Sequence, residues 1–307
     1  MTGTVVKVFG KYYTIGYDDR KINCTLRGKI RRDKRLERFS EAAAVGDLVD
    51  FELDGDGGGS IESVRPRKNV FTRKYKESDR EDLLAANLDQ IMVIQSFSTP
   101  RLNLRFVDRL LVRGRKENIP AVLCVNKLDL AAKGDIKQLS AYYKGYDLNI
   151  ITVSAKTGKG LDTVADALKG KLSLLTGNSG VGKSSILNGL YPGLDLRISE
   201  VSESTGKGRH ATTNTEMICL ESGTRIIDTP GLREFGLLDI EPHELGRYFM
   251  EFSDLAAGCG FSPCTHEHEP GCAVQQLVAE GVIPEERYIS YLNILATLKE
   301  YYSNRYR

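Results

Sequence analysis

The chain has 307 residues, of which 41% are hydrophobic, and a formal net charge of +2 at pH 7. That length suits two or three packed domains, and the near balance of charge means that any affinity for nucleic acid must come from local patches. No apolar run approaches the ~18–20 residues of a membrane span, and a strand pattern opens at Gly3, so neither a membrane segment nor a signal peptide is expected.

Cys24, Cys124 and Cys219 stand alone in apolar segments, whereas Cys259, Cys264 and Cys272 fall within fourteen residues. Clustered thiols in a chain without a secretory signal point to a metal rather than to disulfides, and to a reducing cytoplasm.

Residues 3–9, 12–17, 21–26, 47–53 and 60–65 read as five short strands, separated by turn signals at Gly10-Lys11, Asp18-Asp19 and Asp54 to Gly59. Five strands in about 65 residues suit a small closed barrel of the OB type. Between the third and fourth strands runs a segment with seven basic and two acidic residues, including Arg27, Lys29, Arg31, Arg32, Lys34 and Arg35. On a barrel such a segment can neutralise RNA phosphates; the alternative is a solvated loop. Arg65-Pro66-Arg67-Lys68, with Arg73, Lys74 and Lys76, reads as a basic linker.

From Asp89 strands and helices alternate, which predicts a doubly wound parallel sheet with its ligand at the carboxyl ends of the strands. Leu174-Leu175-Thr176 enters a loop, Gly177-Asn178-Ser179-Gly180-Val181-Gly182-Lys183-Ser184-Ser185, that fits G-x-x-x-x-G-K-S, with a helix expected from Ser185 to Leu190. Backbone N–H groups of such a loop wrap phosphates, Lys183 reaches the β- and γ-phosphates, and Ser184 suits Mg²⁺.

A strand at 121–125 ends in Asn126-Lys127-Leu128-Asp129, the N-K-x-D pattern whose carboxylate accepts from guanine N1–H and the N2 amine; a helix N-cap at Asp129 is the alternative. The next strand, 150–153, ends in Ser154-Ala155-Lys156, the loop that approaches the guanine carbonyl. Arg225 to Gly231 ends in D-x-x-G, where Asp228 serves Mg²⁺ through water and Gly231 senses the γ-phosphate. Thr212 or Thr213, of which we favour Thr212, completes the Mg²⁺ shell. Together these patterns predict binding of GTP and GDP, and Asp129 disfavours ATP.

Most GTPases run in the order phosphate loop, switch threonine, D-x-x-G, N-K-x-D, S-A-K. Here N-K-x-D and S-A-K come first, joined to the phosphate-loop strand through Lys169-Gly170-Lys171. The order reads as a circular permutation that places the C-terminal segment just after D-x-x-G.

Cys259-x4-Cys264-x-His266-x5-Cys272 offers three thiolates and an imidazole, the set of a closed, tetrahedral structural zinc site, with His268 as a competing fourth ligand. A helix is expected from Pro284 to Tyr302. The domains expected are a barrel at 1–67, a permuted α/β P-loop domain at 68–238 and an α-helical zinc module at 239–307.

The permuted motifs, the leading barrel and the trailing Cys₃His segment resemble the bacterial ribosome small-subunit-dependent GTPase A family (RsgA, also called YjeQ) over essentially the whole chain. The resemblance implies a late 30S biogenesis factor that grips 16S rRNA through its barrel and zinc modules, with a GTPase stimulated by the 30S subunit and release on hydrolysis. It also implies His210 as the catalytic group, since Leu232 stands where many GTPases carry a water-orienting glutamine. One departure is Ala211, where the family usually has the first of three threonines. Intrinsic hydrolysis is then expected to be slow, on the order of 10⁻⁴ s⁻¹. A monomer is expected. Other readings from the sequence are an RNA-binding protein with GTP as a structural ligand, and a GTPase serving another RNA partner.

Overall fold

The computed structural model describes residues 1–30, 33, 36–55, 57–74, 80–194, 215–228, 236–237, 239–253 and 255–305. The first five strands are Thr2–Phe9 (β1), Tyr12–Tyr17 (β2), Arg20–Leu26 (β3), Leu48–Leu53 (β4) and Gly59–Val64 (β5). Alternation fills their interior with Val5, Tyr13, Ile15, Ile22, Cys24, Val49, Phe51 and Ile61. β1 pairs antiparallel with β2 and β4, β2 with β3 and β4 with β5, while β3 runs parallel to β5. Each strand therefore has two barrel neighbours, and the cylinder is closed.

The basic stretch after the barrel is no mere linker. Val70–Lys74 (β6) and Glu81–Ala86 (β7) form an antiparallel hairpin. Arg67 is almost fully buried in a two-pronged ion pair with Asp47, Nε to Oδ1 at 2.7 Å and Nη2 to Oδ2 at 2.8 Å, and its guanidinium lies 5.0 Å from the Phe39 ring centroid.

The central domain follows as Gln90–Ser96 (β8), Leu104–Lys116 (α1), Ala121–Asn126 (β9), Asp135–Tyr142 (α2), Asn149–Thr152 (β10), Leu161–Leu168 (α3), Leu172–Thr176 (β11), Lys183–Leu190 (α4), Thr215–Cys219 (β12) and Arg225–Asp228 (β13). β8, β9, β10, β11 and β13 are parallel, and β12 runs antiparallel to β13. All seven residues of β8 and all five of β11 are buried, because helices cover both faces. The strand order β10-β9-β8-β11-β13-β12 continues into β1, so the barrel extends the same sheet.

C-terminally come Met250–Ser253 (α5), Ala273–Ala279 (α6) and Glu285–Arg305 (α7), of which α7 packs on α1, as does the helical turn Pro242–Tyr248. Phe249, Phe252, Val274, Tyr291, Leu295 and Leu298 share one core with Val107, Leu110 and Leu111 of α1. Among the described residues no helix is long and apolar enough to cross a membrane.

Candidate functional site

Three loops meet at the carboxyl ends of β9, β10 and β11. The loop after β11 turns sharply because two glycines leave no room for a side chain. A Cβ on Gly177 would lie 2.2 Å from Ile94 O, and one on Gly182, at φ +94°, 2.3 Å from Asn126 Nδ2. Gly182 then caps α4, which starts at Lys183, two residues ahead of the sequence expectation. Lys183 Nζ donates to Gly177 O at 2.8 Å and to Asn178 O at 3.3 Å, and Val181 is buried. Ser184 and Ser185 lie half-buried in the first turn of the helix.

Asn126, at the end of β9, ties the loops together. Its Nδ2 donates to Val181 O at 3.0 Å, and its Oδ1 accepts from Ala155 N at 3.0 Å. Lys127 has a left-handed backbone (φ 60°), and its Nζ donates to Gly180 O at 2.9 Å and to Thr99 O. The Thr99 carbonyl thus borders the site, a contact for which its side chain gives no sequence signal. Ser154 Oγ donates to Asp129 Oδ1 at 2.6 Å, and this bond, with the charges of Lys156 and Lys127, holds the Asp129 carboxyl below its usual range. Asp129 therefore stands ionised at the mouth of the site, a fixed acceptor for paired N–H donors.

Asp228 ends β13, next to β11 in the register Leu175↔Asp228. Burial pushes its pKa up against the opposing charge of Lys183; burial likewise pulls the Lys183 pKa down, with Asp228 opposing. Asp228 Oδ1 is buried with no hydrogen-bond partner among the described residues, as is Thr176 Oγ1. An orphaned carboxylate oxygen beside a phosphate-loop lysine fits the outer shell of a hydrated cation. His210, Thr212, Thr213 and Gly231 lie outside the described residues.

Cys259, Cys264, His266 and Cys272 offer ligand atoms that all lie within 4.8 Å of one another. Cys259 Sγ is 3.6 Å from His266 Nδ1 and 4.0 Å from Cys272 Sγ, and His266 Nδ1 is 3.4 Å from Cys272 Sγ. A tetrahedron with metal–sulfur bonds of ~2.3 Å has edges of roughly 3.8 Å, so the four donors fit one such ion. The ligand loop is held from outside. Tyr288 and Tyr291 hydroxyls donate to His266 O at 2.6 Å and Thr265 O at 2.7 Å, and Glu269 accepts from the Thr265, Glu267 and His268 amides. His268 points away, exposed, with its Nδ1 3.1 Å from Glu267.

Of the barrel's basic segment, Arg27 Nη2 lies 3.1 Å from Glu52, and its Nε also meets Glu62. Lys29 Nζ lies 3.1 Å from Glu62. These glutamates come from β4 and β5, so the sequence of the segment alone could not reveal the pairing. Arg31, Arg32, Lys34 and Arg35 lie outside the described residues.

The chain matches the RsgA GTPase family over residues 64–238 and the RsgA N-terminal domain over residues 2–61. It is 38% identical over 305 residues to small ribosomal subunit biogenesis GTPase RsgA 2 of Bacteroides thetaiotaomicron, covering 98% of each chain. Among solved structures, YjeQ from Thermotoga maritima superposes with a TM-score of 0.77 at 35% identity, over 97% of this chain and 98% of that one. YloQ, described as a circularly permuted GTPase, superposes with a TM-score of 0.71 at 27% identity, over 97% and 95%. A closed barrel, a permuted nucleotide domain and a helical Cys–His module are thus joined in one order across whole chains, and the protein belongs to the RsgA GTPase family.

Proposed function

We propose that this protein hydrolyses GTP during maturation of the small ribosomal subunit, with its turnover accelerated by the 30S particle and its release tied to hydrolysis. The observation that carries the reading is the junction of three loops through Asn126, which joins the Ala155 amide to the Val181 carbonyl. In this reading Asp129 is the guanine-selecting carboxylate and Lys183 the phosphate-binding lysine, and the junction supports it because it joins the loops that carry them. The family membership and the relatives named for small-subunit biogenesis support the partner.

In this reading Asp129 selects guanine, the Ser154–Lys156 loop faces its carbonyl, and Lys127 lays its stem along the base. The amides of residues 177–185 and Lys183 hold the phosphates. Mg²⁺, held by Ser184, Thr212 and Asp228, would neutralise charge on the β- and γ-phosphates, while Gly231 reads the γ-phosphate. His210 orients the attacking water once the particle is bound. The ion at Cys259, Cys264, His266 and Cys272 is a structural Zn²⁺, since protein fills every coordination position. The barrel at 1–67 contacts 16S rRNA through the basic segment from Arg27 to Arg35, next to a GTPase domain at 68–238 and a zinc module at 239–307. The protein works in the cytoplasm as a monomer.

The test is GTP turnover alone and with purified 30S, 50S or 70S particles at fixed salt. Acceleration by 30S alone supports the reading. Tight GTP binding with no acceleration by any particle overturns the ribosomal part and leaves the nucleotide site standing.

A further inference from the structure

Helix α1 carries its positive charge in two unlike halves. Towards its C-terminal end Arg113 is matched by Asp239 and Glu117, and Lys116 by Asp239. At the other end Arg105 and Arg109 lie four residues apart, about 6 Å along the axis, and Arg101 stands one interval earlier in the entering loop. Among the described residues none of these three has a carboxylate within ion-pair distance, and the first turn of α1 holds no acidic residue.

Arg109 is half-buried against α7, where its Nη2 meets a neutral acceptor, Thr297 Oγ1, at 3.5 Å. Burial and the neighbouring charge of Arg105 both work against its protonated form. Like charges at i and i+4 repel, and among the described residues no carboxylate offsets them. Such a cation pair is a standing demand for an external anion.

Two features favour a polyanion over an acidic protein. No large apolar side chain is exposed between residues 97 and 117, so the strip itself offers no apolar centre of the kind a protein interface uses. The strip also begins two residues after Thr99, whose carbonyl holds the Lys127 ammonium, and so shares a rim with the guanine loops.

We infer that Arg101, Arg105 and Arg109 form a docking strip for the phosphate backbone of RNA, distinct from the basic segment of the barrel. The inference rests on the ribosomal reading above and gives it a second contact face.

The test compares the full-length protein with the R105Q/R109Q and R105K/R109K pairs in binding to purified 30S particles across a salt series. Each lost phosphate contact flattens the slope of log K against log salt by about 0.7–0.9. The glutamine pair should therefore lose roughly 1.5 units of slope and, at 0.1 M salt, on the order of 30-fold in affinity. The lysine pair should keep most of the slope, and unstimulated GTP turnover and thermal midpoints should not move. An unchanged slope in the glutamine pair overturns the inference. If the wild-type protein does not bind 30S, the ribosomal reading falls by itself, and a short A-form RNA hairpin replaces the particle. Weaker hairpin binding by the glutamine pair then upholds the strip, and equal binding rejects it. Displacement of bound particle by polyglutamate as readily as by RNA of equal charge would assign the strip to an acidic protein and overturn the inference.

Discussion

Arg287 → Met is the substitution that most directly tests how the C-terminal module is held. Arg287 lies in α7 and is 1% exposed; it meets Asp108 of α1 and Glu251 of α5. Its guanidinium also lies over the Phe249 ring, 4.3 Å from the centroid, and 5.4 Å from that of Tyr143. Asp108, fully buried, accepts further from the Tyr142 hydroxyl at 2.5 Å, the Tyr143 hydroxyl at 3.0 Å and Ser290 Oγ. Burial pulls the Arg287 pKa down, but the facing Asp108 and Glu251 carboxylates more than reverse this and keep it charged. Methionine fills much of the volume and leaves two carboxylates without their cation. Removing one partner of a buried pair costs about 3–5 kcal/mol. With a urea dependence of about 1–3 kcal/mol per molar, the transition should move down by roughly 1–5 M. A multidomain chain need not unfold in one step, so two probes are required: far-ultraviolet circular dichroism and release of bound metal to a chromogenic chelator. Metal release should come early in the variant, ahead of the loss of bulk structure. Replacing Glu251 by leucine as well should recover part of the loss, because it removes one orphaned charge while Asp108 keeps its three hydroxyl donors. If R287M unfolds within about 0.5 M of wild type by both probes, the buried cluster does not secure the module and the reasoning is wrong.

Gly182→Ala places a methyl against Asn126 at a left-handed position, a strain of about 1–3 kcal/mol before the amide is displaced; titration with a fluorescent GDP analogue should show at least a hundredfold loss of affinity, and a change under fivefold would contradict the packing described. Asp239→Asn tests acid sensitivity. Burial opposes ionisation of Asp239, but Arg113 and Lys116 outweigh it and hold the carboxyl far below its usual range. A carboxyl depressed in the folded state adds stability that is complete above the unfolded value, about 3.9, and fades as pH falls below it. The stability gap between wild type and D239N should thus be constant from pH 8 to 5 and shrink below about pH 4; a gap independent of pH down to pH 2 would refute the pairing. Cys264→Ser should abolish binding of one Zn²⁺ per chain, measured by metal analysis after dialysis. Because such sites contribute on the order of 10–16 kcal/mol of coupled folding, the segment from Gly258 to Cys272 should also become open to limited proteolysis.

The barrel strands were readable to within a residue because alternation of Val5, Tyr13, Ile15 and Phe51 is local and glycine or aspartate turns punctuate it. Spacing likewise carries the Cys–His set, whose donors cluster, and the G-x-x-x-x-G-K-S, N-K-x-D and S-A-K patterns, whose loops meet at Asn126. What stayed hidden depends on partners distant in sequence. The stretch after Pro66 looks like a basic linker until Asp47 is seen to neutralise Arg67 and β7 to pair with β6. Arg27 and Lys29 look like free cations until β4 and β5 bring Glu52 and Glu62 alongside. β12 is only five residues long and polar at Glu216, and its pairing with β1 crosses more than two hundred residues. The Thr99 carbonyl carries no side-chain signal at all.

That last pairing explains how the barrel is placed. β12 would otherwise be the open edge of the central sheet, a row of unsatisfied N–H and C=O groups that invites association. β1 covers it in the register Lys7↔Glu216 and Val8↔Thr215, and Lys7 Nζ meets Glu216 at 2.7 Å on the exposed face. Glu216 in turn pairs with Asp228, and Asp228 with Leu175 at the entry to the phosphate loop. One row of backbone pairings thus runs from the barrel to Asp228. The barrel's position relative to the nucleotide is therefore set by a ladder of hydrogen bonds and not by the stretch that joins the two units in sequence. On the other side, α1 carries Arg113 to Asp239 and Asp108 to Arg287, so the C-terminal module is referred to the same sheet through one helix. The strand order sets β8 and β13 on either side of β11, so the barrel reaches that strand through β12 and β13, and the C-terminal module reaches it through α1, the helix that follows β8.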